Sequence, residues 1–111
     1  MKNENNIREE ICLIGESLFS RGYTVGSSGN ISARLEDGWL ITPTDACLGT
    51  LDPAAIAKVN TEGEWVNGNK PSTTLVLHQG VYRNNPQAGC VLHTHSTASV
   101  QLPDRKSFVS G

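Results

Sequence analysis

Ile7, Ile11, Ile14 and Leu18 recur at spacings of four, three and four residues, which places them on one stripe of a helix. The segment is NIREEICLIGESLFSRGYTVG, in which Arg21 and Gly22 supply a basic last turn and a glycine stop. The period then changes to two. Ile31, Ala33 and Leu35 alternate with polar residues, Asp37-Gly38 suits a tight turn and WLIT returns, so ISARLEDGWLITPT predicts a hairpin. TLDPAAIAKVN predicts a short helix with Asp52 as its N-cap and Pro53 at its first position. KVNTEGEWVNG predicts a second small hairpin around Glu62-Gly63. In KPSTTLVLHQGVYRNNP the helical period resumes: Leu75, His78, Val81 and Tyr82 share a face, Ser72 or Thr73 can cap the start, and Asn85-Pro86 ends it. AGCVLHTHS is again a strand, with Val91, His93 and His95 on one face and Cys90, Leu92 and Thr94 on the other. No stripe develops in VQLPDRKSFVSG, where Pro103-Asp104 breaks the pattern.

Composition narrows what such elements can serve. At 111 residues the chain is at most one domain, spanning 1–111, with 101–111 as an atypical tail. A net charge of −2 without a basic stripe excludes nucleic acid as a partner, and 5% aromatic content leaves no base-stacking surface. The apolar runs are too short for a bilayer, and MKNENNIREE lacks the apolar core of a signal peptide, so no membrane partner is expected. Cys12, Cys47 and Cys90 form no CxxC and read as buried thiols in a reducing cytoplasm.

His93 and His95, at i and i+2 on a strand, project to the same side, close enough to share one cation. Neutral imidazoles suit Zn2+ and first-row neighbours such as Mn2+ or Co2+. Two partly exposed histidines bonded to water or backbone would look the same, and a metal site needs three or four ligands. Three polar segments suit an anion. SSGN combines tight glycine backbone with Ser and Asn side chains; TPTD, at 42–45, offers threonine hydroxyls on a Pro-fixed turn; Ser72 and Thr73 stand at a helix N-terminus with free N–H groups. Each alone also fits an ordinary turn or cap, and spacing does not show that they converge. His78, mid-helix on an apolar face, reads as a packed or supporting residue rather than a ligand.

Taken in order, GSSGNISARLEDGWLITPT and KPSTTLVLHQGVYRNNPQAGCVLHTHS resemble the class II aldolase/adducin family, over residues 7–100. Within it, SLFSRGYTVGSSGNISARLEDGWLITPTDACLGTLDPAAIAKVN looks most like the 3-oxo-tetronate 4-phosphate decarboxylase branch. The resemblance implies an α/β/α three-layer fold around a mostly antiparallel central sheet. It implies a divalent metal such as Zn2+ held by His93, His95 and a third histidine further along, and phosphate held by Gly29, Asn30, Thr44, Asp45, Ser72 and Thr73. It further implies a phosphorylated sugar or sugar-acid substrate, cleavage through a metal-stabilised enediolate, and a homotetramer with sites at subunit interfaces. A class II aldolase or 4-epimerase activity, and a non-catalytic adducin-like module or inactive gene fragment, are the alternatives. Three departures bear on them. Thr74 occupies the position where the family carries its acid/base carboxylate, and no acidic residue occurs between Trp65 and Asp104. Asp45 stands where glycine usually follows TPT. The family's domain also runs well beyond this length, so the chain reads as its N-terminal half, truncated.

Overall fold

The computed structural model describes residues 3–24, 26, 28–94, 100–101 and 107–110, the last two stretches as backbone. Helix α1 spans Glu4–Ser20, opened by Asn3, whose side chain accepts from Asn6 N at 2.8 Å. It closes where Gly22, at φ 79°, lets the Gly22 and Tyr23 amides turn back to Phe19 O and Leu18 O. Strands β1 (Asn30–Leu35) and β2 (Gly38–Ile41) form the first hairpin, β3 (Ala57–Asn60) and β4 (Trp65–Asn67) the second. Helix α2 (Leu75–Asn84) leads into β5 (Cys90–Thr94), followed by β6 (Val100–Gln101) and β7 (Ser107–Ser110). The strand order is β4-β3-β2-β1-β5-β7-β6, antiparallel except for β5 against β7.

The two faces of this sheet carry different helices. Ile7 and Ile11 of α1 pack on Ile31, Ala33, Leu40, Cys90 and Leu92. Tyr82 of α2 packs on Val91 of the other face, with Trp39 and Val81 alongside. The layering is therefore α/β/α, and the strand period that alternates Cys90 and Leu92 with Val91 and His93 decides which helix each residue meets. Burying the Ile7 and Ile11 side chains contributes on the order of 2 kcal/mol each.

Three expectations are corrected. Residues 53–60 are not a helix. Asp52 does cap, accepting from Ala54 N at 3.0 Å, but only the 3-10 turn Pro53–Ala55 forms. Beyond it, buried Ala57 and Val59 alternate with half-buried Lys58 and Asn60, and pairing with β2 overrides alanine's helical preference. Helix α2 begins at Leu75, later than a cap at Ser72 or Thr73 would place it, because the Pro43–Pro71 bridge keeps 70–72 extended. Of the thiols, only Cys90 is buried; Cys12 and Cys47 are half-buried, and burial raises the Cys12 pKa. No helix among the described residues is long and apolar enough to cross a membrane.

Candidate functional site

The pairing of β1 with β5 sets Asn30 opposite His93 and Ser32 opposite Val91, all on the face covered by α2. His78 and Tyr82, one helical turn apart on α2, meet that face from above. Both ring nitrogens of His78 are engaged: Nδ1 with Ser32 Oγ at 2.6 Å, Nε2 with Asn30 Oδ1. Ser32 Oγ also bonds the Tyr82 hydroxyl at 2.8 Å. The chain Tyr82–Ser32–His78–Asn30 is almost wholly buried, with His78 and Ser32 at 0% exposure. Burial, with the nearby His93 charge, pushes the His78 pKa down to about 3, so the ring is neutral at pH 7. Burial likewise pushes the Tyr82 phenol above its usual range, and the Arg34 guanidinium lies 4.7 Å over its ring.

The three polar segments lie side by side. Ile31 N donates to Thr42 Oγ1 at 3.1 Å and Thr42 N to Ile31 O at 2.9 Å, joining the TPT segment to the residue after Asn30. Thr44 N donates to Lys70 O at 2.9 Å and Ser72 N to Thr42 O at 3.2 Å, joining TPT to KPS. Gly29, at φ 87°, lies so close to β5 that a Cβ there would stand 3.2 Å from His93 O. Gly29 and Asn30 thus flank His93, and the Thr42–Thr44 and Ser72 segments are joined to each other and, through Thr42, to Ile31 on the other side of β1. Thr73 is exposed beside Ser72. Thr74 precedes α2 without making a side-chain cap; its hydroxyl pairs with Ser72 Oγ at 2.8 Å and its N–H donates to the same oxygen at 3.2 Å. His95 lies outside the described residues. Among the described residues no three His, Cys, Asp or Glu side chains come together as a metal-binding group.

Asp45 is exposed and sits at φ 60°, the left-handed region that glycine tolerates best. That backbone requirement, rather than any contact, explains why glycine suits the position, and aspartate is among the few other residues that accept it. Asp45→Gly is expected to keep or slightly raise stability, within about 1 kcal/mol, while removing a negative charge beside the candidate anion patch. Tighter inorganic phosphate binding by calorimetry checks this; unchanged binding would place Asp45 away from the anion.

His78 and Tyr82 were visible as helix-face partners in the sequence. Ser32 was not, although a lone serine between Ile31 and Ala33 on a buried strand was its signal.

Residues 9–105 match the Class II Aldolase and Adducin N-terminal domain. A 3-oxo-tetronate 4-phosphate decarboxylase from Cupriavidus necator is 68% identical over 102 residues, which are 92% of this chain and 47% of that protein. A protein of the same name from Escherichia coli K12 is 50% identical, over 91% of this chain and 48% of its own length. The crystal structure of YgbL from Escherichia coli superposes with a TM-score of 0.81 at 49% identity, covering 86% of this chain and 47% of that one. The chain spans about half the length of the curated relatives it matches.

Proposed function

Since the chain belongs to the class II aldolase and adducin family, we propose that it provides the phosphate-binding and part of the metal-binding apparatus of a sugar-phosphate lyase, of the 3-oxo-tetronate 4-phosphate decarboxylase kind. The observation that carries this is that Gly29–Asn30 lies against His93 and is linked, through Ile31 and Thr42, to the TPT and KPS segments. In this reading Asn30, Thr44, Ser72 and Thr73 offer side-chain donors to the phosphate and Gly29 lets the backbone come close, the Thr44 and Ser72 amides being already engaged with Lys70 O and Thr42 O, with Asp45 at the edge.

His93 suits a first-row divalent cation by its chemistry: it is an imidazole on a strand that the sheet fixes in place, and the period of two gives His95 as its companion. A further ligand must come from outside the described residues. When bound, the ion, Zn2+ or a neighbour such as Mn2+ or Co2+, supplies Lewis acidity that stabilises negative charge developing on substrate oxygens. The chain's own residues do the rest: the polar patch anchors the phosphate end and so orients the reacting carbons.

Thr74 bears on which bond breaks. Aldol cleavage needs a base to take a proton from the substrate hydroxyl, and a threonine hydroxyl at this position is not one. Loss of carbon dioxide from a 3-oxo acid needs no base for the bond-breaking step. The carboxylate's C–C bond electrons flow to the neighbouring carbonyl, and a proton is needed only afterwards. Thr74 therefore favours decarboxylation over aldolase or epimerase chemistry. It equally favours a non-catalytic adducin-like module, the second reading. The exposed apolar residues Val76 and Leu77 on α2 and Trp65 and Val66 on β4 support a homo-oligomer, a tetramer in this proposal; three cysteines without a CxxC suit the cytoplasm as its compartment.

The test is zinc uptake and zinc-dependent carbon dioxide release from 3-oxo-tetronate 4-phosphate. The His93→Ala/His95→Ala variant is expected to lose both, and Thr74→Glu to bind zinc about tenfold more tightly. A double variant that retains wild-type zinc content overturns the metal assignment. His93-dependent carbon dioxide release excludes the non-catalytic module, and zinc uptake without turnover favours it.

A further inference from the structure

With Asn30 Oδ1 set against His78 Nε2, the buried chain Tyr82–Ser32–His78–Asn30 runs in one hydrogen-bonding direction. Asn30 Oδ1 can only accept, so His78 Nε2 carries the proton that it shares with that oxygen. A neutral ring then leaves Nδ1 as an acceptor, and Ser32 donates to it at 2.6 Å. With its own proton committed, Ser32 Oγ accepts from the Tyr82 hydroxyl at 2.8 Å. Turning the Asn30 carboxamide over would require the other ring tautomer and would reverse the chain, with the amide donating to Nε2, Nδ1 to Ser32 and Ser32 to Tyr82. In the arrangement the structure shows, the carboxamide presents its oxygen to His78 and turns its N–H2 away. A side chain held this way offers donors only, which suits an anion and repels a cation. Asn30 stands between Gly29 and the TPT-linked Ile31, directly across from His93, where the phosphate reading needs a donor.

We propose that His78 is a positioning residue for the substrate phosphate: fixed by Ser32 and Tyr82, it holds the Asn30 carboxamide so that its N–H2 group faces the ligand. This rests on the phosphate reading above. His78 itself touches no ligand, and its role is exerted through Asn30.

The test uses the full chain with 15N-labelled histidine and asparagine, and inorganic phosphate as the probe. At pH 7 the His78 ring is expected to show a protonated Nε2 and an unprotonated Nδ1. Phosphate is expected to shift the Asn30 N–H2 signals. His78→Leu, which keeps bulk but no donor, is expected to weaken phosphate binding about tenfold, as for one lost hydrogen bond to a charged group. His78→Gln, whose amide nitrogen falls near the Nε2 position, is expected to recover most of it; His78→Asn, which reaches only the Nδ1 position, is not. A His78 ring protonated on Nδ1 overturns the positioning role alone. A ring with the expected tautomer in a chain that shows no phosphate-induced shift overturns the phosphate reading, and the ligand role with it. If His78→Leu fails to fold by circular dichroism, a folded His78→Gln decides: near-wild-type affinity supports the proposal, and a tenfold loss opposes it.

Discussion

Arg8→Ala is expected to destabilise the fold by about 3–4 kcal/mol, as the loss of several charge-assisted hydrogen bonds to partly buried acceptors does. Arg8 is 6% exposed on the inner side of α1. Its Nη1 donates to Pro53 O at 2.8 Å and Ile56 O at 2.7 Å, its Nη2 to Asn67 Oδ1 at 2.8 Å, and its Nε to Glu4 at 3.0 Å. One guanidinium thus ties α1 to the Pro53 and Ile56 carbonyls before β3 and to the Asn67 side chain at the end of β4. Alanine leaves the buried Ile56 carbonyl without its partner, and the part-buried Pro53 carbonyl and Asn67 side chain with water alone. Lysine cannot reproduce the planar fork, so Arg8→Lys is expected to lose about half as much, roughly 2 kcal/mol. Urea unfolding of the three chains checks this. An Arg8→Ala chain within about 1 kcal/mol of wild type would mean that water replaces the guanidinium and the network is not a determinant of the fold.

Arg8 also shows where sequence periodicity stops informing. The spacing of Ile7, Ile11, Ile14 and Leu18 locates α1 and its apolar face, yet nothing in that pattern separates a buried arginine from the exposed charges around it. The first hairpin was legible from alternation, but its turn was misplaced by one residue. Gly38 lies within β2, paired with Leu35, and is glycine because a Cβ would stand 1.9 Å from Val59 O of β3. That constraint comes from the neighbouring strand, which local sequence does not encode. The same holds for residues 57–60, where pairing with β2 defeats a helix-favouring composition. At the candidate site the motifs GN, TPT and KPS were each legible as polar segments. Their adjacency depends on the Pro43–Pro71 bridge and the Thr42 bonds, which join residues far apart in sequence. The opposition of Asn30 and His93 depends on the β1–β5 register, again a long-range pairing. The role of Ser32 is not legible locally because its partners lie on α2, across the layer boundary.

The stability of the wild-type chain is expected to fall by about 2 kcal/mol between pH 6.5 and pH 5, and His78→Gln is expected to remove most of that loss. The folded protein holds His78 neutral, with its pKa pushed down to about 3 by burial and the His93 charge, against 6.5 for an unburied imidazole. As pH falls below 6.5 the unfolded chain takes up a proton that the folded chain refuses, so the unfolded state gains and stability drops steadily until about pH 3. At about 1.4 kcal/mol per pH unit, the interval from 6.5 to 5 accounts for the expected loss. Glutamine has no proton to bind, so its variant keeps a flatter profile from whatever stability it starts with. Glu4 works in a separate window: hydrogen bonding from Lys58 lowers its pKa below 4.5, so its contribution disappears only at more acid pH. Urea unfolding midpoints from pH 7 to pH 4.5 distinguish the two. Parallel decline of wild type and His78→Gln over that range would show that His78 accepts a proton in the folded state. The neutral ring required for the Ser32–His78–Asn30 arrangement would then exist only near the top of the range.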